Sequence, residues 1–205
     1  MRTISLTILL TLSSLICLAN TYHPANTLQQ KDGLSSNNVK CIFKDSMGFM
    51  WFGTDNGIDI YDAATISSVR KTGIGVNSIT EASGHIYIGS EKGLYEYDRA
   101  TNDLIDFSAK TEFGIEIVSP ITHLLSTGNT LVICTEGQGI FLYHHNTGKF
   151  IQCSIGIPFV TDATLSKDGT LYISERESGI HSISMQGEHL GLIYSEKGIS
   201  DIHSS

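Results

Sequence analysis

The sequence predicts an all-β fold of about four four-stranded β-propeller blades in an incomplete ring. Three observations carry this. The stretch Met47 to Asp62, reading MGFMWFGTDNGIDIYD, recurs in weaker form three times downstream, 36 to 45 residues apart. Each period holds about four short apolar or alternating runs bounded by Gly, Asn, Asp and Ser. Twenty glycines, three prolines and only 17% charged residues favour strands and turns over helices. A period of roughly 40 residues with four strands is the mark of propeller blades. One blade cannot bury both its faces alone, so neighbours must stack.

The units follow in order. In the first, Val39, Cys41 and Phe43 fall on one face, with Lys40, Ile42 and Lys44 on the other. Asp45 to Gly48 is a turn, Phe49 to Thr54 the second strand, and Asp55-Asn56-Gly57 a hairpin turn of the Asn-Gly kind. Ile58 to Tyr61 is the third strand, closed by Asp62, and Ile66 to Val69 the fourth. The second unit repeats this over Val76 to Thr80, His85 to Ser90, Leu94 to Tyr97 and Leu104 to Phe107. The third runs over Ile121 to Leu125, Thr130 to Thr135, Ile140 to Tyr143 and Lys149 to Cys153. The fourth runs over Val160 to Leu165, Thr170 to Ser174, Ile180 to Ile183 and Leu190 to Tyr194. The blades thus span about 33–70, 76–108, 121–154 and 160–195, and a fifth unit starts at 198. Residues 20–32 are a lead-in or an outer strand.

The repeat fixes a set of structural positions: Gly48, Trp51, Gly53, Gly57, Tyr61 and Asp62, echoed by Gly89, Gly93, Gly139 and Gly179. A glycine closing the second strand allows close approach near the crowded centre.

Residues 1–19 read as a secretory signal. Arg2 precedes an uncharged stretch from Ile4 to Leu18, and Cys17-Leu18-Ala19 places small residues at the cleavage positions. An uncleaved anchor is the alternative, but fifteen residues are short of the about twenty that span a bilayer. Lipidation at Cys17 is disfavoured by bulky Ile16. The formal charge of −8 makes a nucleic-acid partner unexpected, since nothing here would neutralise a row of phosphates.

Candidate chemistry is sparse. Cys41, Cys134 and Cys153 are odd in number and irregular in spacing, which suits buried small hydrophobes, with one bridge still open. Trp51 offers a face for stacking a sugar, yet sits in a strand at a recurring core position. Asp45, Asp55, Asp62 and Asp98 stand where Asp caps turns. His144 and His145 are adjacent in a strand and point to opposite faces, so they do not share a metal. His85, His123 and His181 form no ligand spacing, and Glu175 to Ser178 reads as a solvated turn. These residues point to no catalytic, metal or cofactor site, and the ligand-binding residues stay unassigned.

The first unit, GLSSNNVKCIFKDSMGFMWFGTDNGIDIYD from Gly33 to Asp62, resembles the repeat of the two-component regulator propeller family. The resemblance rests on Gly33-Leu34-Ser35, the Asp45 to Gly48 turn, Trp51-Phe52-Gly53-Thr54, and Gly57 followed by Tyr61-Asp62. The later units match more weakly and lack the tryptophan. The family comprises periplasmic sensor regions of Bacteroides-type hybrid histidine kinases. The resemblance implies an extracytoplasmic ligand-sensing segment, not itself an enzyme, in a dimeric sensor anchored in the inner membrane. Its partners would be a glycan ligand and the remainder of the kinase. A secreted propeller lyase or hydrolase, or a truncated fragment without activity, stays open beside it. Four blades with two uncovered faces are expected to aggregate or pair when isolated.

Overall fold

The computed structural model describes residues 27–70, 73–107, 116–153 and 156–194. Residues 1–19, read as the export signal, and the fifth unit from 198 lie outside them. Among the described residues, sixteen strands form four antiparallel sheets, each a simple meander. The first holds β1 (Val39–Lys44), β2 (Met50–Thr54), β3 (Gly57–Tyr61) and β4 (Ile66–Ser68). The second holds β5 (Val76–Ala82), β6 (His85–Ser90), β7 (Gly93–Asp98) and β8 (Asp103–Asp106). The third holds β9 (Ile121–Thr127), β10 (Thr130–Thr135), β11 (Ile140–His144) and β12 (Lys149–Gln152). The fourth holds β13 (Val160–Leu165), β14 (Leu171–Glu175), β15 (Gly179–Ile183) and β16 (His189–Tyr194). Every strand read from the sequence is present, with ends moved by one or two residues. Of the lead-in, residues 27–32 form no strand, and Gln30–Asp32 makes one 3-10 turn.

The first strands β1, β5, β9 and β13 lie side by side, so each blade starts at the inside of the assembly and works outward. The four blades do not close into a ring. Three apolar clusters fill the three gaps between successive blades. Trp51, Ile58 and Val69 meet Val76, Ile86 and Ile88 in the first gap. Tyr87 and Leu94 meet Ile121, Leu131 and Ile133 in the second. Val132, Cys134 and Ile140 meet Val160, Leu171 and Ile173 in the third. The strands β6 and β10 are covered on both faces, which is why they read as unbroken apolar runs. The outermost strand β16 instead leaves Leu190, Leu192, Ile193 and Tyr194 exposed.

The glycines near the end of the second strand work against side chains rather than backbone. A Cβ on Gly53 would lie 2.4 Å from Cys41 Sγ and 2.6 Å from Val76 Cγ1. A Cβ on Gly89 would lie 2.5 Å from Ile121 Cγ2. Gly53 is crowded by its own blade's inner strand as well as the next one, and Gly89 by the next blade's inner strand.

The Asn-Gly hairpin differs in detail from the sequence expectation. Thr54 pairs with Gly57, so the loop residues are Asp55 and Asn56, and Gly57 opens the next strand at φ 144°. The reason is a side-chain clamp. Thr54 Oγ1 donates to Gly57 O at 3.0 Å and accepts from Asn56 N–H at 3.1 Å. Ser90 does the same with Gly93 and Lys92, and Thr135 with Gly139 and Gln138.

Trp51 is fully buried. Its indole N–H donates to Asp45 Oδ2 at 3.0 Å, and Asp45 Oδ1 accepts from the N–H groups of Met47 and Phe49 at 3.0 and 2.9 Å. Asp45 therefore locks the turn and the tryptophan together, with no ring face left for a ligand. Asp59 is also fully buried, and accepts from Ser35 N–H, Ser35 Oγ and Ser68 Oγ at 2.7, 2.6 and 2.7 Å. That explains Gly33-Leu34-Ser35: Leu34 is buried, and Ser35 satisfies a carboxylate on the outer face of the first blade. Asp62 and Asp98 accept backbone N–H groups two residues on, as turn-forming carboxylates do.

Cys41, Cys134 and Cys153 are free. Burial pushes the thiols of Cys41 and Cys153 up to about 11 and that of Cys134 higher still, so none is a reactive nucleophile at neutral pH.

Candidate functional site

All four inner strands carry a bulge at the same place, between Val39 and Cys41, Val76 and Ser78, Ile121 and His123, and Val160 and Asp162. The bulge inserts Lys40, Asn77, Thr122 and Thr161. These stand in a row from blade to blade: Lys40 Nζ reaches Asn77 Oδ1 at 3.3 Å, and Asn77 Nδ2 donates to Ile121 O at 3.0 Å. One step further along the strand, His123 Nε2 lies 3.2 Å from Asp162 Oδ1 across the third gap.

The clamped turns between second and third strands come to the same end. Asp55 N–H donates to Asn38 O, Glu91 N–H to Gly75 O and Glu136 N–H to Pro120 O at 3.2, 3.0 and 2.8 Å. The residue after each clamp is then Asp55, Glu91, Glu136 or Arg176. Asp55 accepts from Asn38 Nδ2 at 3.1 Å, and hydrogen bonds from Ser36 and Asn38 lower its pKa. Glu91 pairs with Lys40 at 2.6 Å.

Between the third and fourth blades this end opens into a recess of about 290 Å³, lined by Thr122, Glu136, Phe159, Val160, Thr161 and Arg176. Phe159 is bridged to Glu136 through the backbone and is 41% exposed, an aromatic face beside Thr122, Glu136 and Arg176. The hydroxyls of Thr122 and Thr161 donate to Cys134 O and Ser174 O, both at 3.2 Å, and Thr161 Oγ1 also lies 2.7 Å from Ser174 Oγ; Thr122 keeps oxygen lone pairs for a ligand's hydroxyls.

The fourth turn is clamped differently. Glu175 replaces the hydroxyl residue, and its Oε2 accepts from Glu177 N–H, Ser178 N–H and Ser178 Oγ at 2.9, 2.7 and 2.6 Å. Ser178 Oγ lies 2.6 Å from His181 Nε2, and His181 Nδ1 lies 3.0 Å from His189 Nε2. With Ser178 donating to the carboxylate, His181 Nε2 carries a proton toward Ser178 and His189 Nε2 carries one toward His181. So the turn read as solvated has a buried anchor, and the exposed tip is Arg176.

The other histidines do not converge. His144 Nδ1 lies 2.8 Å from Thr130 Oγ1. His145 stacks on His85 at 6.0 Å and stands edge-on to Tyr143 at 4.7 Å, with its Nε2 buried and without a hydrogen-bond partner. His85 Nδ1 sits 3.0 Å from Glu96 Oε1. Among the described residues, no group of three or more His, Cys, Asp or Glu is placed to hold a metal ion.

Two histidines set a pH dependence. Burial, then the His85 charge, lowers the pKa of His145 against an opposing pull from Glu96. Burial, then His189, lowers that of His181 against Glu175. Below the ordinary value of 6.5 the unfolded chain takes up protons that the folded state refuses. Stability is therefore full above 6.5 and falls as pH drops toward the lowered folded values. Urea midpoints are expected to be lower at pH 5 than at pH 7.5, and H145Q/H181Q to flatten that difference. An unchanged slope in the double variant contradicts the assignment.

Phe159 is not singled out by the sequence, and Arg176 enters there only as part of a solvated turn. The signal was present in the repeat. Asp55, Glu91, Glu136 and Arg176 align, and only the last is basic. Asn38, Gly75, Pro120 and Phe159 align, and only the last is aromatic.

The fold and this end of the blades define a β-propeller segment. Residues 33–56 of its first blade match the model of the family described as Two component regulator propeller. No curated protein matches the sequence. Among solved structures, the chain is similar to the extracellular domain of a hybrid two-component system from B. thetaiotaomicron. The identity is 25% and the TM-score 0.66, over 81% of this chain and 26% of that one. A second such domain from B. thetaiotaomicron is 15% identical with TM-score 0.63, over 82% and 23%. A catalytically inactive virginiamycin B lyase from Staphylococcus aureus, with quinupristin, is 18% identical with TM-score 0.59, over 74% and 54%. The last two likenesses concern the fold alone. The chain spans about a quarter of the length of the sensor domains it matches.

Proposed function

We propose that this chain is a segment of an exported, ligand-sensing propeller of a two-component system, with an oligosaccharide as its ligand. The observation that carries the ligand class is the recess between the third and fourth blades. An exposed aromatic ring beside hydroxyls and a carboxylate suits a sugar, which presents an apolar ring face and a rim of hydroxyls. The likeness to extracellular domains of two-component sensors supports the sensing role. Signalling to the kinase portion of a dimeric parent would follow from a difference in ligand affinity between two arrangements of the sensor, since a ligand shifts an equilibrium only by that difference. Calorimetry of the full sensor domain against a panel of oligosaccharides tests this. Saturable heat with at least one glycan is expected, and no heat with any glycan removes the carbohydrate reading.

A further inference from the structure

We infer that the recess between the third and fourth blades is selective for an acidic sugar, a saccharide carrying a carboxylate such as a uronic acid residue. The inference rests on the sensor reading above and names the ligand class of the same site.

The repeat itself provides the comparison. At the turn-tip position, three blades place a carboxylate: Asp55, Glu91 and Glu136. Two of these are engaged, Asp55 with Asn38 and Glu91 with Lys40. The fourth blade inverts the charge. Its acidic residue has moved one position back into the clamp, where Glu175 is 3% exposed and held by two backbone N–H groups and Ser178. The tip is left to Arg176, and among the described residues no carboxylate pairs with its guanidinium. The fold does not need Arg176 there, because the clamp is complete without it.

The chemistry of the recess follows. A guanidinium presents a planar fork that matches a carboxylate in a bidentate way. Phe159 offers a face for the pyranose ring, and Thr122 offers a hydroxyl on the bulge of the third blade's inner strand. Glu136, bridged to Phe159, accepts from sugar hydroxyls. Its charge also disfavours a doubly charged phosphate, which Arg176 alone would otherwise welcome. One cation, one anion and an aromatic face suit a singly charged, ring-shaped ligand.

The test is calorimetry of the full sensor domain with paired oligosaccharides that differ only in a uronate for the corresponding neutral sugar. The uronate member is expected to bind at least 10-fold tighter. R176Q is expected to remove that preference while leaving the melting temperature unchanged, and F159A to weaken both members. Equal affinity for the two members, or an R176Q variant that keeps the preference, overturns the acidic-sugar inference while the sensor reading stands. Heat with neither member, nor with any other glycan, overturns the acidic-sugar inference and the carbohydrate reading together.

Discussion

Replacing Trp51 with alanine should cost about 3–5 kcal/mol of folding stability, the largest single effect expected in the chain. Trp51 is fully buried and joins the first blade to the second through Ile58, Val69, Val76 and Ile88. Its ring stands edge-on to Tyr97 at 4.9 Å. The truncation leaves a cavity in a gap between two stiff sheets, which cannot collapse into it easily. It also leaves Asp45, itself only 4% exposed, without the indole donor. Asp45→Ala should cost about 2–4 kcal/mol by the converse route, because the N–H groups of Met47 and Phe49 and the indole lose their shared acceptor. Arg99, at 3.4 Å from Asp45 and 40% exposed, adds little. The pair acts as one unit, so W51F and D45N together should cost clearly less than the sum of their separate effects. Urea unfolding followed by circular dichroism measures the four single variants and the double variant. Strict additivity, or a near-neutral D45A, defeats this account of the turn.

How much of this was legible in the sequence depends on the kind of signal. The strands were, because a blade covered on one or both faces imposes period two or an unbroken apolar run, as at Val39 to Phe43 and at Ile86 to Ile88. The turns were, because Gly, Asn and Asp mark them. The bulges at Lys40, Asn77, Thr122 and Thr161 were not, since an extra residue in one strand leaves the composition unchanged and shows only in the pairing. The clamp by Thr54, Ser90 and Thr135 was hidden for a related reason. A threonine or serine at a strand end is unremarkable until its hydroxyl is seen on the backbone of the turn. The recess was legible only in the differences between units. Reading the repeat for what the blades share gives the architecture, and shared positions such as Gly53, Gly57 and Asp62 are structural for that reason. Phe159 and Arg176 stand out because they break the pattern.

The same comparison of blades gives the second large effect. Gly89→Ala should destabilise the protein by about 1–3 kcal/mol, and Gly89→Val by more, through overpacking. The added carbon would sit 2.5 Å from Ile121 Cγ2 and 3.3 Å from Leu124 Cδ1, inside the gap between the second and third blades. Gly191 has open space within 4 Å of its Cβ position, so Gly191→Ala should stay within about 0.5 kcal/mol of the parent. The third blade shows how the fold adapts when the glycine is lost. Cys134 stands where Gly89 stands, and its cluster contains Ala163 at the position that Leu124 holds one blade earlier. A larger residue on the second strand is matched by a smaller one on the facing inner strand. The two substitutions should therefore couple: G89A and L124A in one chain should cost less than their separate costs combined by at least about 0.5 kcal/mol. Thermal or urea unfolding of the two single variants and the double variant measures this. A double variant that loses the full sum would show that Ile121 alone sets the need for glycine, and that Ala163 does not compensate for Cys134.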